Sequence, residues 1–283
     1  MDAGIDAGMS TELLVDRART GDARAQDALV RQTQDLVYNL AVRMLGSPID
    51  AEDATQEILL KIVTRLDSYR GESAFRTWAY RVAANHLLTT RKRAAEQRAT
   101  GFDDLGAALD ANLGGDELSI ADQVLLQEAK LICTSSMLVC LDRDHRIAFI
   151  LGDILELPGD EAAAVLDIPH DAFRKRASRA RARLAAFMAN RCGLADEANP
   201  CRCAKQAPAA IRAGLVDPAC LVWTTRAATT ATATATARAR VEEIEGLART
   251  VEIFRGHPSY VAPGALVERL RHALDAGTSD LLR

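Results

Sequence analysis

Apolar residues recur at intervals of three and four over most of residues 10–98, where proline is nearly absent; this is the spacing of amphipathic helices. Leu36, Leu40 and Met44 share a face with Val37 and Ala41. Gly46-Ser47-Pro48 interrupts that face, and Asp50 or Asp53 is placed to cap the next helix, which carries Ile58, Ile62 and Leu66 on one stripe. After a turn at 68–71, a further helix bears Phe75, Trp78, Tyr80, Val82 and Leu87 and ends in Arg91-Lys92-Arg93. Residues 99–124 mix glycine with aspartate and read as an acidic linker. Helical spacing returns over 125–190, with a sharp break at Asp167-Ile168-Pro169. A cysteine segment occupies 191–206. A flexible linker is expected over 207–240, where a Thr/Ala run offers nothing bulky enough to build a core. Residues 241–283 form a helical extension broken at His257-Pro258 and Pro263-Gly264. The expected fold is all-α: two small helical domains joined by a flexible linker, plus a C-terminal helical extension.

Composition narrows the classes. A length of 283 residues suits about two domains, and 6 Phe, 4 Tyr and 2 Trp are too few for one large aromatic-rich core. The formal net charge of −4 excludes a uniformly basic protein but not a basic patch. The acidic start is unlike a secretory signal, and no apolar run approaches the roughly 18 residues of a membrane helix. The expected location is the cytoplasm, with no membrane partner. Six cysteines there point to thiols or metal ligands rather than structural disulfides.

Within 157–184 the spacing describes a helix-turn-helix. A short helix over 160–166 buries Ala163 and Leu166, and a three-residue turn follows. The second helix sets Phe173, Ala177, Ala180 and Leu184 on one face. Its other face carries Arg174, Lys175, Arg176, Arg179, Arg181 and Arg183, against the single acid Asp171. In a chain of net negative charge, that clustering fits a recognition helix in a DNA major groove better than a solvated bundle face.

Tyr69, Phe75, Trp78 and Tyr80 fall in one window interleaved with Arg70, Arg76 and Arg81. Rings alternating with arginine can stack unpaired bases, with the 71–73 turn as a wall for an extruded one. The alternative is that Phe75 and Trp78 pack their helix on its neighbours. Glu52, Asp53, Gln56 and Glu57 lie opposite Ile58 and Ile62. With no His, Lys or metal-ligand partner nearby in sequence, they suit a basic protein partner, or the helix dipole, better than acid–base chemistry.

Cys192, Cys201 and Cys203 form a C-x8-C-x-C cluster. With a fourth ligand from Cys133, Cys140 or a histidine they could hold Zn²⁺, or they could form a redox switch or have no special role. Cys133 and Cys140 read as buried small hydrophobes. The spacing matches no strong zinc signature, and no cofactor is required by the rest of the chain.

Together these segments resemble the extracytoplasmic-function (ECF) branch of the sigma-70 family of bacterial RNA polymerase sigma factors. The string DAEDATQEI at 50–58 resembles the family's polymerase-binding region 2.2, and FRTWAYRVAAN at 75–85 resembles region 2.3. The segment to Arg93 resembles region 2.4, and 157–184 resembles region 4, ending in the R-x-x-R-A-R-x-x-L pattern at 176–184. The resemblance implies sigma region 2 over 10–98 and region 4 over 125–190. It places Glu52, Asp53, Gln56 and Glu57 against core polymerase (β′ and β subunits). Tyr69, Phe75, Arg76, Trp78, Tyr80, Arg81, Asn85, Arg91 and Arg93 would meet the −10 element. Arg174, Lys175, Arg176, Arg179 and Arg181 would meet the −35 element. An anti-sigma factor is a further implied partner, and no catalytic residue is implied. Asp167 stands where the turn usually has glycine, which aspartate tolerates better than most residues, and Pro169, His170 and Ala162 also depart from the pattern. The competing reading is a stand-alone helix-turn-helix regulator with a thiol or metal sensor, which would need neither the aromatic-Arg helix nor the acidic one.

Overall fold

The computed structural model describes residues 10–91, 96–97, 101–115, 122–227 and 246–275, and among these it is all-α, without a regular strand. The helices in chain order are α1 (Thr11–Arg19), α2 (Ala23–Leu45), α3 (Pro48–Thr64), α4 (Phe75–Thr89), α5 (Phe102–Asp110), α6 (Gln123–Val139), α7 (Arg143–Phe149), α8 (Gly159–Leu166), α9 (His170–Ala189), α10 (Cys203–Arg212), α11 (Val222–Thr225), α12 (Gly246–Arg255) and α13 (Leu266–Asp275). Among the described residues no helix is long and apolar enough to cross a membrane.

Local chemistry sets the helix boundaries. Ser10 and Asp22 cap α1 and α2 through their side chains. α3 is capped by Ser47, whose Oγ accepts from the Asp50 amide at 3.3 Å, not by Asp50 or Asp53. Pro48 then begins the helix rather than interrupting it, because its missing N–H would be unpaired in the first turn anyway. α2 ends on Gly46 in the left-handed region (φ 66°), where a Cβ would come within 2.5 Å of Val139 Cγ2 on α6.

The two expected domains are not held apart by a linker here. Leu14, Tyr38, Ile58, Trp78 and Ala83 belong to the same buried cluster as Ile147, Ala163, Phe173 and Ala177. α8 packs on α4, and Thr77 Oγ1 donates to Glu161 Oε1 at 2.8 Å. A second core gathers Phe149, Leu184, Phe187, Met188 and Phe254.

Two linker expectations need correction. Within 99–124, residues 102–110 form α5: Phe102, Leu105 and Leu109 give it an apolar face, and Phe102 stacks on Phe187 with ring centres 5.1 Å apart. Within 207–240, α10 runs on to Arg212, and Trp223 is buried because both Glu128 carboxylate oxygens accept backbone amides of α11, from Trp223 at 2.9 Å and Thr224 at 2.7 Å. The remainder of the Thr/Ala run, 228–240, lies outside the described residues.

Arg143 and Arg146 of α7 converge on Glu96, whose side chain is 1% exposed. Arg146 also donates to Val139 O at 2.9 Å and Leu141 O at 2.7 Å, and Arg143 to Thr90 O at 2.6 Å. Burial alone would raise the Glu96 carboxyl pKa; the two guanidinium groups outweigh it and hold it below its usual value.

Candidate nucleic-acid and protein interfaces

The helix-turn-helix is built by α8 and α9. Between them Asp167 takes up the left-handed conformation (φ 52°, ψ 46°) that the turn needs. Phe173, Ala177, Ala180 and Leu184 are buried, and the basic residues emerge on the other face. That face is not uniform. Arg174, Lys175 and Arg179 are exposed along a shallow groove with Ser178. Arg181 instead binds Asp153, Nε to Oδ1 at 2.9 Å. Burial raises the Asp153 carboxyl pKa and Arg181 opposes that shift. Arg176 pairs with Asp144 at 3.5 Å and Arg183 with Asp142 at 3.4 Å.

The aromatic segment divides in the same way. Tyr69, Phe75 and Trp78 form a three-ring cluster with centres 5.5–5.6 Å apart, each 8–9% exposed, and Tyr80 is 3% exposed. Tyr69 donates through its hydroxyl to Ser73 O at 2.8 Å, which folds the 71–73 turn over the rings. The rings therefore pack in the core in this conformation rather than forming an open platform. Arg76, Arg81, Asn85 and Arg91 are exposed, and Arg76 lies over the Tyr80 ring at 5.5 Å. Burial raises the Tyr80 pKa and Arg76 counters it. Trp78, Arg81 and Asn85 share a groove with Lys61 and Arg65 of the α3 end. Arg93 lies outside the described residues.

On α3 the acidic residues have different partners. Glu57 meets buried His86 at 3.1 Å, and Asp53 is exposed. Glu52 is ion-paired with Arg226 and with Arg269, the latter at 3.7 Å. Nothing in the local sequence signals these partners, which lie far along the chain. α13 packs on α3, with Leu266, Val267 and Leu270 joining the main core. The approach to α13 is pinned to α2. Tyr260 N donates to Asn39 Oδ1 at 2.8 Å, Ala262 N to Asp35 Oδ1 at 2.9 Å, and Arg43 Nη2 to Pro258 O at 3.1 Å. Arg271 adds an ion pair with Asp27.

Cys192, Cys201, Cys203 and Cys133 line one cavity beside Gln206. Among the described residues no group of three or more His, Cys, Asp or Glu is already arranged to hold a metal ion.

Residues 29–97 match the family described as Sigma-70 region 2. The ECF RNA polymerase sigma-E factor of Escherichia coli (strain K12) is 34% identical over 177 residues, spanning 61% of this chain and 91% of that protein. The chain belongs to the ECF branch of the sigma-70 family. The RNA polymerase sigma-H factor of Pseudomonas aeruginosa is 30% identical over 172 residues, covering 59% of this sigma factor and 88% of its relative. A solved structure, that of CnrH in complex with the cytosolic domain of CnrY, aligns with a TM-score of 0.45 and 25% identity, over 63% of this chain and 97% of that one. As a sigma factor the chain directs transcription initiation by RNA polymerase at promoter DNA, and the stand-alone regulator is not favoured. Proteins of this family are generally not enzymes.

Proposed function

We propose that this sigma factor binds core polymerase through α3, engages the −10 element through α4 and the −35 element through α9, and that its C-terminal extension covers the polymerase-binding face. The clamp-facing residues of α3 are Glu52, Asp53, Gln56 and Glu57, meeting the β′ subunit, with β as a further contact; the complex works in the cytoplasm. Arg76, Arg81, Asn85 and Arg91 approach DNA phosphates and bases from the exposed side of α4, and Trp78 lies at the wall of the groove that Arg81 and Asn85 share. Arg174, Lys175 and Arg179 read the upstream element, Arg176 does so after leaving Asp144, and Arg181 positions α9 through Asp153.

The observation that carries the covering role is the double pairing of Glu52 with Arg226 and Arg269 beneath α13. An acidic side chain offered to a basic partner surface is already neutralised from within the chain. A separate anti-sigma protein acting on this face would compete with the same tail.

The test is the full-length Arg226→Glu, Arg269→Glu double variant, titrated with core polymerase by fluorescence anisotropy. Two acids beside Glu52 repel it and loosen the tail, so core binding becomes several-fold tighter. Unchanged or weaker binding rejects the covering role. In the same assay Asp53→Arg weakens core binding; no effect removes α3 from the interface.

A further inference from the structure

Two of the chain's cysteines fall in the segment joining α9 to α10, a third opens α10, and a fourth lines the same cavity from α6. Cys192 follows α9, Cys201 precedes α10, Cys203 opens it, and Cys133 lies mid-way along α6. All are free thiols. They line a single cavity of about 50 Å³, with Lys130 and Arg202 also in its wall.

The backbone is shaped to bring these thiols together. Cys192 and Cys201 face each other across an isolated parallel bridge, and the Gly193 amide donates to Cys201 O at 3.1 Å. A Cβ on Gly193 would stand 2.6 Å from that oxygen, so the loop closes this tightly only with glycine there. Asn199 locks the loop by donating to Ala189 O at 2.8 Å and Cys192 O at 3.2 Å. Gln206 Nε2 lies 3.6 Å from Cys201 Sγ and can orient it.

We infer that Cys133, Cys192, Cys201 and Cys203 form a binding site for a thiophilic divalent cation of the zinc and cadmium class. Four sulfurs are the ligand set that such an ion accepts in tetrahedral coordination. On binding, four S–H bonds lose their protons to solvent and four S–metal bonds form, with no change of oxidation state. The resulting site has a net charge of −2, which Lys130 and Arg202 offset. Because the sulfurs are not already at coordination spacing, the ion has to draw the 192–203 loop inward.

The inference stands apart from the polymerase and promoter assignments, and its test needs neither partner. Reduced full-length protein is titrated with Cd²⁺ in weak buffer, following the thiolate-to-metal absorption in the ultraviolet and the protons released; native mass spectrometry after Zn²⁺ loading gives the stoichiometry. One ion per chain and about four protons per ion are expected. Cys201→Ser and Cys203→Ser weaken binding at least tenfold. Cys140→Ser and Cys220→Ser, outside the cavity, leave it intact. Absence of the absorption band in the unsubstituted protein, equal binding by the Cys201→Ser and Cys203→Ser variants, or a Cys192–Cys201 disulfide with no ion bound each overturns the site. The titration of the unsubstituted chain decides the matter even if a variant misfolds.

Discussion

Replacing Glu96 with glutamine tests the buried charge cluster that ties the end of region 2 to α7. The substitution keeps the shape and removes the charge. Arg143 meets Glu96 through Nη2 at 2.5 Å and Nε at 2.9 Å, and Arg146 through Nη1 at 2.9 Å. The two arginine side chains are only 13% and 4% exposed, so both guanidinium groups lose their counter-charge in a place that water scarcely reaches. Breaking a buried pair from one side costs about 3–5 kcal/mol. The carbonyls of Thr90, Val139 and Leu141 still accept from the two arginines, which puts the expected loss near the lower end, about 3 kcal/mol. The assay is urea unfolding followed by circular dichroism at neutral pH and again in acid. The carboxyl pKa of Glu96 is lower in the folded chain than in the unfolded one. Its contribution is therefore fully present above the unfolded value and disappears as pH falls through the folded one. The gap between wild type and Glu96→Gln should narrow in acid, where wild type carries a neutral carboxyl as well. A loss below about 1 kcal/mol at neutral pH, or a gap that stays constant on acidification, would refute the reasoning.

Three further outcomes are expected. Gly46→Ala puts a methyl group against Val139 at a positive φ and should destabilise by more than about 1 kcal/mol, read as a lower midpoint in thermal unfolding. Arg179→Ala should weaken binding to a −35 duplex by about 1–3 kcal/mol and relax its sequence preference, whereas Arg181→Ala should mainly lower stability by stranding Asp153; competition binding and unfolding of both variants distinguish the two roles. Leu184→Ala, at a fully buried position, should cost about 2–5 kcal/mol in urea unfolding, and a neutral result would remove Leu184 from the seam.

Much of the architecture could be read from spacing alone. The seam of α9 was legible because Phe173, Ala177, Ala180 and Leu184 repeat with the helical period, and Asp167 because few non-glycine residues accept a left-handed turn. Periodicity did not reveal α5, where Phe102, Leu105 and Leu109 are diluted by Gly106 and three aspartates; its helix is secured by Phe187 from a distant segment. Nor could it choose between a stacking platform and a core for Tyr69, Phe75 and Trp78, since both uses need the same residues at the same spacing. The cover on Glu52 was invisible for a different reason. Arg226 and Arg269 have no local signature, and only the folded chain brings them to α3. The cysteine cluster was half legible: C-x8-C-x-C marked three thiols, but singling out Cys133 over Cys140 required knowing which face of α6 meets the loop.

The seating of α8 on α4 bears on every equilibrium measured with this chain. Thr77 and Glu161 join two helices whose apolar sides merge into one interior, so a partner that needs those helices apart binds only the fraction of molecules in which they have parted. Its apparent dissociation constant is the intrinsic one divided by that fraction. Substitutions at this seam can therefore tighten an association without touching a single atom of the contact surface, and affinities of variants rank opening and recognition together unless the two are measured separately.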